Sequence, residues 1–138
     1  MTKLLQDIWV LIQDSGVVLY HRVFDEKVDV QLFGGLMSAL NSFAEVLSKE
    51  GLTSFELSSK KFSILKRKNI LFIGNAPKDV KDRKIVEELN NIADKFFEIY
   101  GRDISEYFDG DITVFKDFEN KIKNSLEDTI KKFEKAFW

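Results

Sequence analysis

Two uninterrupted apolar runs, IWVLI and VVLY, stand on either side of the polar segment QDSG near the start of the chain. Asp14-Ser15-Gly16 is a turn signal between them. The pattern therefore predicts a strand over Ile8 to Gln13, a tight turn, and a second strand over Val17 to Phe24. Neither run alternates with polar residues, which indicates strands that are buried on both faces.

A long stretch with helical periodicity follows. Asp29 is an N-cap candidate, and Gly51 is the predicted end of the helix. Apolar residues between them recur at steps of three and four, which predicts one apolar face packed on the sheet. The residues of this predicted core face are Phe33, Leu36, Leu40, Phe43 and Leu47.

Three short strands are predicted next, over Leu52 to Leu57, Phe62 to Lys66 and Ile70 to Asn75. The polar stretches SSKK and RKN separate them. Both stretches are short enough for hairpin connections, so the three strands should run antiparallel. Pro77, the only proline, closes the last strand.

Two further helices complete the pattern. The second helix is traced by Ile85, Leu89, Ile92, Phe96 and Ile99, and ends at Gly101. A loop, GRDISEYFDGD, leads to a third helix that is predicted to reach the C-terminus. Its apolar positions are Phe115, Phe118, Ile122, Leu126, Ile130, Phe133 and Phe137.

The predicted order is strand, strand, helix, three strands and two helices, without a repeat or a long linker, so we expect a single domain over residues 1–138. IWVLI and ILFIG should be adjacent central strands, with Ile8, Val10, Leu71 and Ile73 buried. The expected fold class is α/β (α+β). It is a five-stranded antiparallel sheet with one helix on one face and two on the other.

Composition narrows the classes of function. The 138 residues are 44% hydrophobic, and a chain of this size can bury about 68% of its unfolded surface. A net charge of -2 gives no positive field to attract nucleic acid. Because the longest apolar runs fall far below the ~18 residues of a membrane span, we expect no transmembrane segment, a cytoplasmic location and at most peripheral membrane contact.

Candidate chemistry is sparse. The chain has no cysteine, and its one histidine, His21, is most simply a partly exposed strand residue. Asp103, Asp109 and Asp111 lack the ligand spacing of a calcium loop, so a turn and a helix cap near Asp111 are the better interpretation. We therefore expect no catalytic residue, no cofactor and no metal.

Two glycines and a group of basic residues have simple structural explanations. Gly34-Gly35 lies inside the first helix, where close packing on the sheet explains it better than phosphate binding. The basic residues form either a solvated hairpin end or a weak lipid contact. They are Lys60, Lys61, Lys66, Arg67 and Lys68.

The first helix is more apolar than contact with one sheet requires. Leu32, Ala39 and Val46 repeat every seven residues and widen the apolar face beside Phe43. Either an edge strand of the same fold covers this flank or a partner does. The hypothetical partner-binding residues are Leu32, Ala39, Val46 and Phe43, and a symmetric homodimer is the first candidate, since it needs only one such patch.

The element order, with DSGVVLYHRVF leading into DVQLFGGLMSALNSFAEVL and the later YGRDISEYFDGDITVFKDF, resembles the longin domain over nearly the whole chain. Profilin-like and roadblock domains share much of this topology, although roadblock domains usually begin with a helix that is not evident before Ile8. The resemblance implies a non-enzymatic module that binds a small GTPase, a SNARE-type segment or another longin or roadblock domain in membrane traffic. Because the sequence stops at Trp138, we expect a stand-alone longin without the coiled-coil segment of longin SNAREs.

Two other classes of function remain open. An enzyme or small-molecule sensor would need a concave pocket with converging polar groups between sheet and helix. A structural subunit of a larger homo- or hetero-oligomeric assembly would instead show a large apolar interface.

Overall fold

The computed structural model describes residues 5, 7–22, 29–49, 51–57, 60–101, 104 and 108–120. Five strands and two α-helices lie within these ranges, followed by one short 3₁₀ helix. They are β1 (Ile8–Ile12), β2 (Val18–Arg22), α1 (Val30–Leu47), β3 (Ser54–Leu57), β4 (Lys60–Arg67), β5 (Ile70–Pro77), α2 (Asp82–Tyr100) and the 3₁₀ helix Ile112–Phe115.

The five strands form one sheet in the order β2-β1-β5-β4-β3, and every neighbouring pair is antiparallel. β5 lies at the centre and β1 beside it. Ile8, Val10, Leu71 and Ile73 are fully buried, as the unbroken apolar runs predict. The predicted placement of these two strands is confirmed, because helices cover both of their faces.

The β4–β5 hairpin closes through a two-residue turn. Lys68 and Asn69 have φ values of 51° and 63°, and Arg67 pairs with Ile70 across the turn. Positive φ at both central residues is the mark of a type I′ turn, whose twist matches that of the strands. Lys60 and Lys61 belong to β4, so their predicted place in a connection is wrong: their backbones pair with Pro77 and Ala76 of β5.

The sheet separates two apolar layers. On one face, Met37 of α1 packs with Trp9, Leu11 and Leu71. On the other face lie α2 and the two buried phenylalanines that follow it, Phe115 and Phe118. The buried residues of α2 are Ile85, Leu89, Ile92, Ala93, Phe96 and Phe97. This arrangement confirms the predicted sandwich. The predicted inner face of the second helix is confirmed except at Ile99, which is exposed.

The ends of the helices agree with the sequence in part. The Asp29 carboxylate accepts from the backbone N–H of Leu32 at 3.0 Å, which confirms the predicted N-cap. α1 ends at Leu47 rather than at Gly51, because Ser48 is extended (φ -152°, ψ 135°). The predicted third helix begins with helical residues 118–120, and the rest of that prediction lies outside the described residues.

Candidate interaction surface

The side of α1 that faces the sheet is made of small and polar residues. Gly34, Met37, Ser38 and Asn41 are buried, at the i, i+3, i+4, i+7 spacing of one helix face. Gly34 allows the helix backbone to approach the β1–β2 turn, since a Cβ there would lie 2.6 Å from Cγ2 of Val18. α1 is thus held against the hairpin by close contact and hydrogen bonds more than by large apolar side chains.

Ser38 forms a hydrogen bond to the hairpin turn, and Asn41 forms one to the segment between α1 and β3. The Ser38 hydroxyl donates to the backbone carbonyl of Gln13. The Asn41 amide oxygen accepts from the backbone N–H of Leu52 at 3.3 Å. Buried polar groups are tolerated here because each has a partner.

The predicted core face of α1 is therefore wrong. Phe33 is the one member that packs inward, with its ring stacked on Trp9 at 4.4 Å. The other four predicted core residues, Leu36, Leu40, Phe43 and Leu47, are exposed. The physical reason is that the close backbone approach at Gly34 leaves room only for small residues and one methionine, so the helix turns its bulky side outward.

The outward face of α1 is a continuous apolar surface, which we call the α1 outer face. Its six large residues are between 41% and 83% exposed. They are Leu32, Leu36, Leu40, Phe43, Val46 and Leu47, and Ala39 lies exposed among them. At about 100° per residue they occupy an arc of roughly 120° opposite the sheet. No charged residue of α1 falls within that arc.

All four predicted partner-binding residues, Leu32, Ala39, Phe43 and Val46, lie on the α1 outer face. Sequence reasoning missed Leu36, Leu40 and Leu47 because it assigned them to the core. The stripe of small and polar residues at Gly34, Ser38 and Asn41 is the signal that could have corrected it, since these three share a helix face.

Glu45 anchors the C-terminal half of α1 beside this face. Its Oε1 accepts from Nε2 of Gln13 at 3.0 Å, Nδ2 of Asn41 at 3.2 Å and Nζ of Lys66 at 3.2 Å. These bonds, that from Lys66 first, lower the pKa of the Glu45 carboxyl. The carboxylate joins α1 to β4 and to the β1–β2 turn, so the C-terminal half of the helix is fixed.

By length and composition alone, α1 also meets the minimum for a membrane-spanning helix. The apolar helices of water-soluble folds meet the same minimum. The expectation of no transmembrane segment rested on the length of unbroken apolar runs, and α1 contains polar residues that interrupt such a run. In the fold, α1 is joined to the β1–β2 turn by the hydrogen bond of Ser38 and to β4 by that of Glu45.

The other candidate residues have structural surroundings. His21 is exposed on β2. The Asp111 carboxylate accepts from the backbone N–H of Thr113 at 3.0 Å, which confirms a cap at the 3₁₀ helix, and Asp103 lies outside the described residues. Within the part of the chain that the structure describes, no group of three or more histidine, cysteine or acidic residues could hold a metal ion.

Three of the four basic residues of β4 are paired with acids of the two helices. Lys61 contacts Asp82 of α2, and Lys66 contacts Glu45 of α1. Arg67 Nη1 lies 2.7 Å from Oδ1 of Asp94. These side chains point to both faces of the sheet, so they do not form a single basic patch.

Comparison with known proteins identifies the fold. No protein-family model matches the chain, and no curated protein matches it by sequence. Among solved structures, MglB of Myxococcus xanthus is similar at a TM-score of 0.53, with 10% identity over 69% of this chain and 85% of that chain. A Roadblock/LC7 domain from Streptomyces avermitilis is similar at a TM-score of 0.53, with 17% identity over 71% of this chain and 86% of that chain.

The fold is roadblock/longin-like. At these identities the similarity shows the architecture alone. It confirms the five-stranded antiparallel sheet between helices, whereas membership of the longin family itself is not shown. The two structures carry the MglB and roadblock names, although the sequence pointed first to longins.

Proposed function

We propose that this protein is a non-enzymatic, longin-like interaction module that forms a homodimer through the α1 outer face and that binds or regulates a small GTPase in membrane traffic. One observation carries the proposal. Six large apolar side chains of one helix face away from their own sheet. An exposed apolar surface of this kind is typical of a protein interface.

A second copy of the chain is the simplest occupant of the α1 outer face. A two-fold axis brings the same patch of each copy together, so one uncharged surface is enough to form both sides of the interface. β3 supports the same arrangement, because within the described residues it is an outer strand paired only with β4. Its outer backbone groups can join those of another copy and extend the sheet.

The GTPase role is supported by the resemblance to longin domains and by the similarity of the fold to MglB and to a Roadblock/LC7 domain. Such a module acts from the cytoplasm, with at most peripheral contact to membranes.

The second candidate function is that of a structural subunit in an assembly of longin or roadblock domains. The width of the α1 outer face favours it, since an assembly subunit needs a large apolar interface.

The test is the double variant Leu32→Glu with Val46→Glu, which places two carboxylates at the interface. Because burying unpaired charges opposes association, we expect a monomer where the wild type is a dimer, measured by light scattering. Val86→Glu is the matched control, since Val86 is an exposed valine of α2, away from this face. Circular dichroism verifies the fold of each variant.

A wild type that is monomeric at every concentration, or a double variant with unchanged mass, would contradict the homodimer.

The GTPase role is tested by passing cell extract over the immobilised wild type and the double variant, with GDP or a non-hydrolysable GTP analogue present. A small GTPase retained in one nucleotide state supports the role. Recovery of none in either state contradicts it.

A further inference from the structure

The two outer strands of the sheet differ in whether a side chain occupies their outward backbone groups. β2 and β3 stand at opposite ends of the strand order. An outer strand presents unpaired N–H and C=O groups that can accept the strand of another chain. A chain with two open edges can add copies without limit, whereas a chain with one open edge stops at a pair.

At the β2 edge, the side chain of Gln31 occupies the position that another strand would take. The backbone N–H of Val18 donates to Gln31 Oε1 at 2.9 Å. Gln31 Nε2 donates to the carbonyl oxygen of Val18 at 3.1 Å. A primary amide has one acceptor and one donor side, so it satisfies the same two groups that a residue of an antiparallel strand satisfies.

Gln31 is held in this position by the start of α1. It lies in the first turn of the helix, whose N-terminus is capped by Asp29. Three residues farther along, the helix backbone touches the β1–β2 turn, because Gly34 has no Cβ. A strand docking beside Val18 would therefore have to displace both the amide and the first turn of α1.

Within the part of the chain that is described, no side chain is hydrogen-bonded to the outward backbone groups of β3 as Gln31 is to those of Val18. The described hydrogen bonds of its backbone run to β4, and Thr53, just before it, accepts from Ile64 N–H at 2.9 Å. One of its side chains, Glu56, forms an ion pair with Lys78. Among the described residues, the two edges are therefore unequal.

We propose that Gln31, by taking both outward backbone groups of Val18, hinders a second copy of this chain from pairing with the β2 edge, so that self-association ends at the dimer made through β3 and the α1 outer face. The inference rests on the proposed self-association for its biological meaning. The closure itself can be tested separately.

The test variant is Gln31→Leu, which keeps the side-chain size and removes both hydrogen bonds to Val18. We expect species of at least twice the wild-type mass that grow with concentration in analytical ultracentrifugation. The matched control is Gln13→Leu, because the Gln13 amide donates to Glu45 and not to a strand edge. This control should keep the wild-type mass.

A second substitution tests whether the larger species form through the β2 edge. Val18→Pro, added to Gln31→Leu, removes the outward N–H at the first residue of β2, where proline is tolerated in a strand. The double variant should return to the wild-type mass. Larger species that persist in a double variant whose circular dichroism matches that of the wild type would show growth through another surface, which would overturn the proposal.

The outcomes separate the two proposals. Wild-type mass in a folded Gln31→Leu variant overturns edge closure, even if the wild type is a dimer. A monomeric wild type with an associating Gln31→Leu variant overturns the proposed homodimer and supports edge closure. If Gln31→Leu fails to fold, Gln31→Ala, which favours the helix, takes its place with the same expected and contradicting results.

Discussion

Tyr20 carries a buried hydroxyl that has no hydrogen-bond partner in the described structure. Burial, followed by the charge of Glu119, raises the pKa of this phenol to about 12. The folded protein therefore favours the neutral phenol, whereas the unfolded chain ionises near pH 10. The stability that this difference contributes is complete below about pH 10 and is lost as pH rises towards about 12.

Tyr20→Phe removes both the unpaired hydroxyl and its ionisation. We expect a free energy of unfolding at pH 7 that is unchanged or higher by about 1 kcal/mol, and a smaller loss of stability between pH 10 and 12. Urea unfolding across this pH range measures both. Tyr100→Phe is the comparison, because it leaves Tyr20 in place and should keep most of the alkaline loss. If Tyr20→Phe loses stability above pH 10 as steeply as the wild type, the assignment to Tyr20 is refuted.

At the scale of elements, the contact between α1 and the β1–β2 hairpin rests on the absence of one side chain. A Cβ on Gly34 would clash with the Gly16 carbonyl and with Val18, whereas a Cβ on Gly35 meets nothing within 4 Å. Gly34→Ala should therefore lower the free energy of unfolding by about 1–3 kcal/mol. Gly35→Ala should raise it by about 0.5–1 kcal/mol, because alanine suits a helix better. Equal effects of the two substitutions in urea unfolding would refute the close contact.

The same helix shows what its sequence could and could not predict. The helix and its Asp29 cap follow from periodicity and local hydrogen bonding. Its orientation does not, because hydropathy ranks Leu36 and Leu40 as core residues, whereas the sheet accepts Gly34 and Ser38. Side-chain bonds to distant backbone groups, such as Gln31 to Val18, leave no trace in local periodicity. The central strands were predictable because an unbroken apolar run fits only a sheet covered on both faces.

At the scale of the whole molecule, ion pairs between sheet and helices limit attraction to anionic membranes. Lys61, Lys66 and Arg67 each contact an acid of α1 or α2. We expect no salt-sensitive flotation of the wild type with phosphatidylserine liposomes, because paired charges contribute little field. Asp82→Asn with Asp94→Asn frees two bases and should increase flotation at low salt. Strong, salt-sensitive flotation of the wild type at physiological salt would contradict this expectation.

The position of β5 also bears on how the chain reaches its fold. β5 joins β4 through a two-residue turn, but it joins β1 across a loop of about 60 residues, for which the closure entropy that grows with length is roughly 3.6 kcal/mol at 25 °C. Non-local pairing of this kind raises contact order, which slows folding. The most deeply buried pair of strands is thus the pair whose ends lie farthest apart along the chain, so the speed of folding depends on a contact that no local turn can prepare.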